Sequence, residues 1–308
     1  MRSIYVTGAN SGLGYAVARQ FLSEGDHVIL ACRDSQKAEK ARNTLIGQTG
    51  KETVGISILD LASLNQVCQS VKDISTSVDI LVCNAGVSNT SGIRYTSDGF
   101  EESFGVNHLG HFLLTNLMLK KFDNTLKYIL VVSSNLHNPT TGADMFPAPA
   151  FSSIEDLAHP DKTDAQPAEK KGRLAYVNSK LCNVLFTYKL DELLKESGRK
   201  DISINAFNPG FMPQTNLGRD TSPGMRFMLK HIMPHMKLII KEIRTAEQSA
   251  TDLFKLVKEI QVSGKYFDGL NEIASSPLSY DRELSSRLWD ASIQWTGLRQ
   301  EETIFKIS

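Results

Sequence analysis

Short β-branched or aliphatic runs alternate along this chain with longer stretches in which apolar residues recur every three or four positions. Residues 3–8 (SIYVTG), 27–32 (HVILAC), 54–60 (VGISILD), 78–84 (VDILVCN), 126–134 (LKYILVVSS), 201–210 (DISINAFNPG) and 264–267 (GKYF) read as strands. The segment 12–24 sets Leu13, Ala16, Val17, Phe21 and Leu22 on one helical face. Further helices are expected over 35–46, near 63–76, over about 98–121 and 174–197, near 245–259 and over 280–296. Strands and helices alternating in this way pair in parallel through right-handed crossovers. The predicted fold class is therefore α/β: one Rossmann-type domain over 1–308, a doubly wound parallel sheet with helices on both faces.

Two stretches interrupt the rhythm. Residues 137–173 hold Pro139, Pro147, Pro149, Pro160 and Pro167, scattered acids and the polar run DAQPAEKKGR. Residues 211–241 hold five of the eight methionines: Met212, Met225, Met228, Met233 and Met236. Irregular stretches of that length inside a compact domain are usually functional or flexible. Both are expected to be excursions from a single domain, above the strand ends.

Composition narrows the class. Hydrophobic residues make up 41% and charged residues 22% of 308, the balance of a globular protein with a sizeable core. Thirty-four basic side chains meet thirty-four acidic ones, which argues against a nucleic-acid binder or a strongly electrostatic membrane binder. No apolar run reaches the roughly 18 to 20 residues of a bilayer span. The first strand leads straight into a glycine motif with no signal-peptide pattern. Cys32, Cys68, Cys83 and Cys182 lie far apart without metal-ligand spacing, so they read as reduced thiols of a cytoplasmic protein with no metal. The expected partner is a small-molecule substrate.

Candidate chemistry begins after the first strand. In Thr7-Gly8-Ala9-Asn10-Ser11-Gly12-Leu13-Gly14 the glycines permit a tight turn and a close approach of pyrophosphate to backbone. The helix that follows offers free N–H groups and its positive end to that anion. The flanking strand and helix turn the match into a dinucleotide site. An NAD-selective site places Asp or Glu at the end of the second strand. Here Cys32 holds that place and Arg33 follows it, ahead of Asp34. A guanidinium can hold a 2′-phosphate by charge-assisted hydrogen bonds worth about 1.5–3 kcal/mol. NADP(H) is therefore predicted over NAD(H), the bland alternative being a solvated Arg33 paired with Asp34. Asp60 and Leu61 are candidates to line the adenine, and Asn84, Ala85 and Gly86 to pass under the ribose.

The motifs TGANSGLG, Asn84-Ala85-Gly86, Asn107, Ser133-Ser134, Tyr176-x-x-x-Lys180 and Asn208-Pro209-Gly210 follow one another in order. Together they resemble the short-chain dehydrogenase/reductase superfamily over nearly the whole chain. The strings VNHLGHFLLTNLML (106–119), YVNSKLCN (176–183), SGKYF (263–267) and RLWDASIQWTGL (287–298) resemble its retinol-dehydrogenase and protochlorophyllide-reductase branch. The resemblance implies a catalytic set of Asn107, Ser134, Tyr176 and Lys180, with Tyr176, Lys180, Pro209 and Gly210 also touching the cofactor. Tyr176 and Lys180 stand four apart and project from one helix face. A free phenol has a pKa near 10. An ammonium about 4 Å away, at an effective dielectric near 20, favours the phenolate by roughly 4 kcal/mol, about three pKa units. That shift would suit Tyr176 to general acid work. Ser134 would donate to the carbonyl oxygen, with Ser133 as the rival, since strand alternation lets one of the pair face the cofactor. Asn107 would hold a relay water near Lys180.

Other features point to packing. His108 and His111 lack a third ligand at fixed spacing, His231 and His235 suit a helix face, and Cys182 suits a buried position. The 211–241 stretch matches the family's substrate lid. Ser134 and Tyr176 are 42 residues apart, an insertion expected to wall the active site and to make a monomer plausible beside a dimer. Phe211 stands where protochlorophyllide reductases usually carry Cys, which weakens a photochemical reading. The expected activity is hydride transfer between NADP(H) and a bulky apolar ketone, aldehyde or alcohol. The alternatives are a light-dependent double-bond reductase and an NADP-binding sensor without catalysis.

Overall fold

The structure, a computed structural model, describes residues 1–138, 146–160, 165–212 and 243–307. Eight strands form one sheet in the order β3-β2-β1-β4-β5-β6-β7-β8. They are β1 (Ser3–Thr7), β2 (His27–Cys32), β3 (Val54–Ile58), β4 (Ile80–Cys83), β5 (Tyr128–Val132), β6 (Ser203–Asn208), β7 (Lys265–Asp268) and β8 (Asn271–Glu272). All neighbours pair in parallel except β7 and β8. The chain runs outward from β1 to β3, then returns to lay β4 on the other side of β1. That reversal opens a crevice above the ends of β1 and β4, where an open α/β sheet takes its ligands.

Side chains alternate across each strand. Ile4, Val6, Val28, Leu30, Val82 and Leu130 face one layer, made by α1 (Gly12–Ser23), α2 (Ser35–Thr49) and α8 (Ala246–Glu259). Phe21 of α1 meets Phe254 of α8 edge to face, centroids 5.1 Å apart. Tyr5, Ile29, Leu81, Ile129, Val131 and Ile204 face the other layer. It is built from α3 (Leu64–Asp73), α5 (Gly110–Lys121) and α7 (Ala168–Glu196), with Trp289 of α9 (Arg282–Thr296) packed against it. Two covered faces explain why the inner strands read as continuous apolar runs.

Three expectations change in detail. The helix expected near 98–121 is not uniform: α4 (Glu102–Phe104) leads into a π-helical turn, Gly105–Leu109, before α5. The long helix starts at Ala168, six residues before its expected start, and α6 (Glu155–Ala158) lies within the stretch 137–173. The hairpin partner β8 was unmarked, being two residues long. The lid expected at 211–241, with His231, His235 and four of its methionines, lies outside the described residues beyond Phe211 and Met212. No helix among the described residues is long and apolar enough to cross a membrane.

Candidate active site

Thr7, the last residue of β1, is fully buried and joins three segments. Its hydroxyl accepts the N–H of Asn84 at 2.8 Å and of Ala85 at 2.9 Å, and lies 2.9 Å from His111 Nε2. The Asn84 amide donates to the Thr7 carbonyl at 2.8 Å. Gly8 and Gly12 turn the chain through φ of 66° and 57°. A Cβ on Gly14 would stand 2.5 Å from Asn84 Nδ2 and 2.6 Å from the Gly8 carbonyl oxygen, so only glycine fits. Asn10 and Ser11 complete the turn, and Leu13 anchors α1 in the core. The Ser11 side chain makes no capping bond to α1, and the first N–H groups of a helix have no partner within it. A glycine turn leading into the start of a helix fits a pyrophosphate.

Cys32 ends β2 against the N–H groups of Ala9 and Asn10, and burial pushes its thiol up to about 11. No carboxylate occupies this position. Asp34 caps α2 through the Lys37 N–H at 3.0 Å and pairs with Lys37 Nζ at 3.1 Å. Arg33 is exposed beside it and has no ion-pair partner among the described residues. Asp60 accepts the Ala62 N–H at 3.0 Å, and the Leu61 carbonyl presses on Gly110 of α5, where a Cβ would come within 2.6 Å.

On α7, Tyr176, Lys180 and Asn183 share one face, and Tyr176 and Lys180 are only 7% and 4% exposed. The Val132 carbonyl at the end of β5 accepts Lys180 Nζ at 3.2 Å and Asn183 Nδ2 at 3.1 Å. Ser133 returns the contact, its hydroxyl donating to the Lys180 carbonyl at 2.8 Å. The Ser133 hydroxyl is thus held by α7, whereas the half-buried Ser134 hydroxyl accepts the Leu136 N–H at 3.3 Å and donates to Asn135 Oδ1 at 3.4 Å, both within its own turn.

The expected depression of the Tyr176 pKa does not occur in the chain alone. Lys180 Nζ stands 5.7 Å from the Tyr176 ring centroid and turns to the Val132 carbonyl. Burial then decides both groups, raising Tyr176 to about 12 and lowering Lys180 to about 8.

Asn107 sits in the π turn, fully buried. Its Oδ1 accepts the Val87 N–H at 2.8 Å, and its Nδ2 donates to the Val87 carbonyl at 3.0 Å and to Ser179 Oγ at 2.9 Å. The amide thus ties the loop after β4 to α7. A Cβ on Gly86 would lie 3.2 Å from Asn107 Oδ1 and 3.7 Å from Lys180 Nζ, so the bare Gly86 backbone brings these side chains together.

Across the crevice, the Pro209 carbonyl accepts Ser249 Oγ at 2.6 Å and Gly210 adopts φ of 77°. Phe211, 41% exposed, forms a parallel bridge with Ile243, and Arg244 pairs with Asp268 at 2.8 Å. The inserted segment returns over α7, where Asn178 exchanges two hydrogen bonds with the Ala150 backbone at 3.0 and 2.8 Å. Phe146 then lies 6.1 Å from the Tyr176 ring.

Thr7, Ser179 and Asn183 escaped sequence reasoning as site residues, and His111 read as packing alone. The spacing of His111 four residues after Asn107 was the available signal. His108 and His111 point apart, His108 Nε2 meeting Ser292 Oγ at 2.9 Å.

Comparison with known proteins follows the same lines. A family described as short chain dehydrogenase matches residues 2–146. Retinol dehydrogenase 13 of Homo sapiens is 37% identical over 301 residues, covering 96% of this chain and 85% of that protein. The chloroplastic protochlorophyllide reductase of Daucus carota is 35% identical over 318 residues, covering 96% and 78%. A crystal structure of an uncharacterized protein from Mycobacterium Paratuberculosis superposes with a TM-score of 0.71 at 28% identity, over 99% of this chain and 95% of that one.

Proposed function

The chain belongs to the short-chain dehydrogenase family, in the branch of retinol dehydrogenases and protochlorophyllide reductases, and on that premise we propose that it is an NADP(H)-dependent oxidoreductase of carbonyls and alcohols. The observation that carries the reading is the buried Tyr176–Lys180 pair of α7, stitched to the end of β5 beside Ser134.

The Gly8–Gly14 turn, with Asn10, Ser11 and Leu13, holds the pyrophosphate at the start of α1. Arg33 meets the 2′-phosphate, a role supported by its lack of an ion-pair partner among the described residues and by the absence of a carboxylate at Cys32. Asp60 and Leu61 line the adenine, and Asn84, Ala85 and Gly86 pass beneath the ribose. Pro209 and Gly210 close the nicotinamide side. When bound, the nicotinamide gives hydride to the carbonyl carbon or takes it from the alcohol.

The side chains handle the proton and the charge. With its pKa raised, Tyr176 is a neutral phenol at physiological pH and donates to the carbonyl oxygen as negative charge develops there. Ser134 donates a second hydrogen bond to the same oxygen. Lys180 adds positive charge below about pH 8 and holds the nicotinamide ribose. Asn107 keeps the loop after β4 beside Lys180 and completes the relay. Phe146, Phe211 and Met212 suit a bulky apolar substrate of the retinoid kind named in the relatives.

The four free cysteines, three of them buried, support a reducing compartment such as the cytoplasm. The insert fastened over α7 by Asn178 supports a monomer, and a mass of twice 34.1 kDa by light scattering would overturn that part.

The test is fluorescence titration with NADPH and NADH, then NADPH oxidation with decanal, 4-nitrobenzaldehyde and all-trans-retinal. Tighter NADPH binding with carbonyl-dependent oxidation, abolished in Tyr176→Phe, is expected. Turnover of protochlorophyllide in light without carbonyl turnover, or nucleotide binding without any turnover, would replace the reading with one of its two alternatives.

A further inference from the structure

His137 lies three residues beyond Ser134, in the short 3-10 turn Asn135–His137 after β5. It is 1% exposed, and none of the motifs above uses it. Its Nδ1 stands 2.6 Å from the Ser134 carbonyl oxygen, and the Ser276 N–H points at its Nε2 at 3.0 Å. A carbonyl only accepts and a peptide N–H only donates, so the proton sits on Nδ1 and Nε2 is bare. The imidazole ring packs on Tyr266 of β7, centroids 4.7 Å apart.

Ser276 belongs to a loop that is itself anchored. Ser275 Oγ lies 2.7 Å from the Tyr188 hydroxyl of α7 and 2.6 Å from Ser279 Oγ, which donates to the Ser276 carbonyl at 2.6 Å. The backbone of Ser134, extended at φ −164° and ψ 153°, is thereby tied to a loop 139 positions from His137. One rigid ring with a donor at one corner and an acceptor at another bridges the two peptide groups at once, beside the His137 N–H that also reaches the Ser134 carbonyl at 3.4 Å. Neither an aliphatic nor a phenyl side chain can do this.

We propose that His137 is a positioning residue, which clamps the Ser134 backbone to the 275–279 loop and so holds the Ser134 hydroxyl in one direction. The proposal rests on the role given to Ser134 above. It places a determinant of carbonyl polarisation in the C-terminal part of the chain, outside the motif set.

The test uses the full chain with NADPH and 4-nitrobenzaldehyde. His137→Phe keeps the packing on Tyr266 and removes both hydrogen bonds; His137→Asn keeps a donor near the Ser134 carbonyl with poorer packing. His137→Phe is expected to lower kcat about tenfold with the KM for NADPH unchanged, and His137→Asn to retain kcat within about threefold of wild type. In a Ser134→Ala background, where the hydroxyl is gone, His137→Phe is expected to cost less than about twofold. An equal loss in both backgrounds, or a kcat order that follows packing, would overturn the clamp alone. Undiminished turnover in Ser134→Ala would instead overturn the role of Ser134, and the inference with it. Hydrogen exchange reads the clamp without turnover: residues 133–138 and 274–280 should lose protection together in His137→Phe. Unchanged protection in either segment would also overturn the proposal.

Discussion

The Thr7 hydroxyl and His111 Nε2 lie 2.9 Å apart, joining the end of β1 to α5 across 104 positions. His111 Nδ1 meets the Asn107 carbonyl at 3.1 Å, so Nδ1 carries the proton and Thr7 donates to Nε2. The same Thr7 oxygen accepts the Asn84 and Ala85 N–H groups. The nucleotide turn, the loop after β4 and the π turn of Asn107 therefore share one buried knot. Thr7→Val keeps the shape and leaves the Ala85 N–H and His111 Nε2 unpaired, while the Asn84 N–H keeps the Val82 carbonyl at 3.0 Å, at a cost of about 1–3 kcal/mol for each unpaired group. Urea unfolding of Thr7→Val should show a loss of about 2 kcal/mol or more, with Thr7→Ser close to wild type.

Acid should weaken the fold through buried histidines. Burial lowers His108 to about 3 and His111 to about 4, from the ordinary 6.5. Their neutral forms therefore contribute stability that is present above pH 6.5 and lost as pH falls toward those values. Glu101, buried at the start of α4, is raised to about 7 and opposes them, since the native state takes up its proton below about 7 and the unfolded chain only near the ordinary 4.5. Between pH 6.5 and 4.5 the unfolded chain gains two protons against one held by the native state. Stability should fall by about 1.4 kcal/mol per pH unit, and about twice as steeply in Glu101→Gln. His27 and His137, also lowered by burial, act in the same direction. A flat urea midpoint across this window would contradict the account.

Arg33 tests nucleotide selection. Arg33→Ala should weaken NADPH roughly 10- to 150-fold, the equivalent of the 1.5–3 kcal/mol of a charge-assisted hydrogen bond. NADH binding should change little, because its ribose offers no phosphate to that side chain. Equal losses for the two nucleotides in a fluorescence titration would assign Arg33 a general surface role.

Lys180 should set the alkaline limb of activity. Its pKa of about 8 means the ammonium is present below that pH and lost above it, while Tyr176, near 12, keeps its proton throughout. Steady-state kcat/KM for carbonyl reduction should be level below about pH 8 and decline above it. In Lys180→Arg, whose guanidinium stays charged, any residual activity should lose that decline. A decline persisting unchanged in Lys180→Arg would point to another group.

Much of this protein was legible as a string. Strand and helix periodicities depend on local backbone geometry, so β1 to β7 and the helices α1, α2, α3, α8 and α9 emerge close to their observed limits. The turn from Thr7 to Gly14 was readable because φ of 66° at Gly8 favours glycine and the contact distances at Gly14 leave no room for a Cβ. Tyr176 and Lys180 were readable because a helix places residues four apart on one face.

Other properties arise only when distant segments meet. The π turn at Gly105–Leu109 has no periodicity of its own, and its environment is supplied by Val87 and Ser179. Which serine is engaged follows from the Lys180 carbonyl reaching Ser133, a contact spanning 47 positions. The titration of Tyr176 and Lys180 also depended on the fold. Spacing alone suggested a charge–phenol pairing, whereas burial of both groups and the Val132 carbonyl reverse its sign. By itself, then, the amino-acid order determined the elements and the residue types able to do the chemistry, since both depend on neighbours a few positions away. The tertiary structure decided orientation, protonation and partnership, because desolvation and hydrogen bonding depend on what lies close in space.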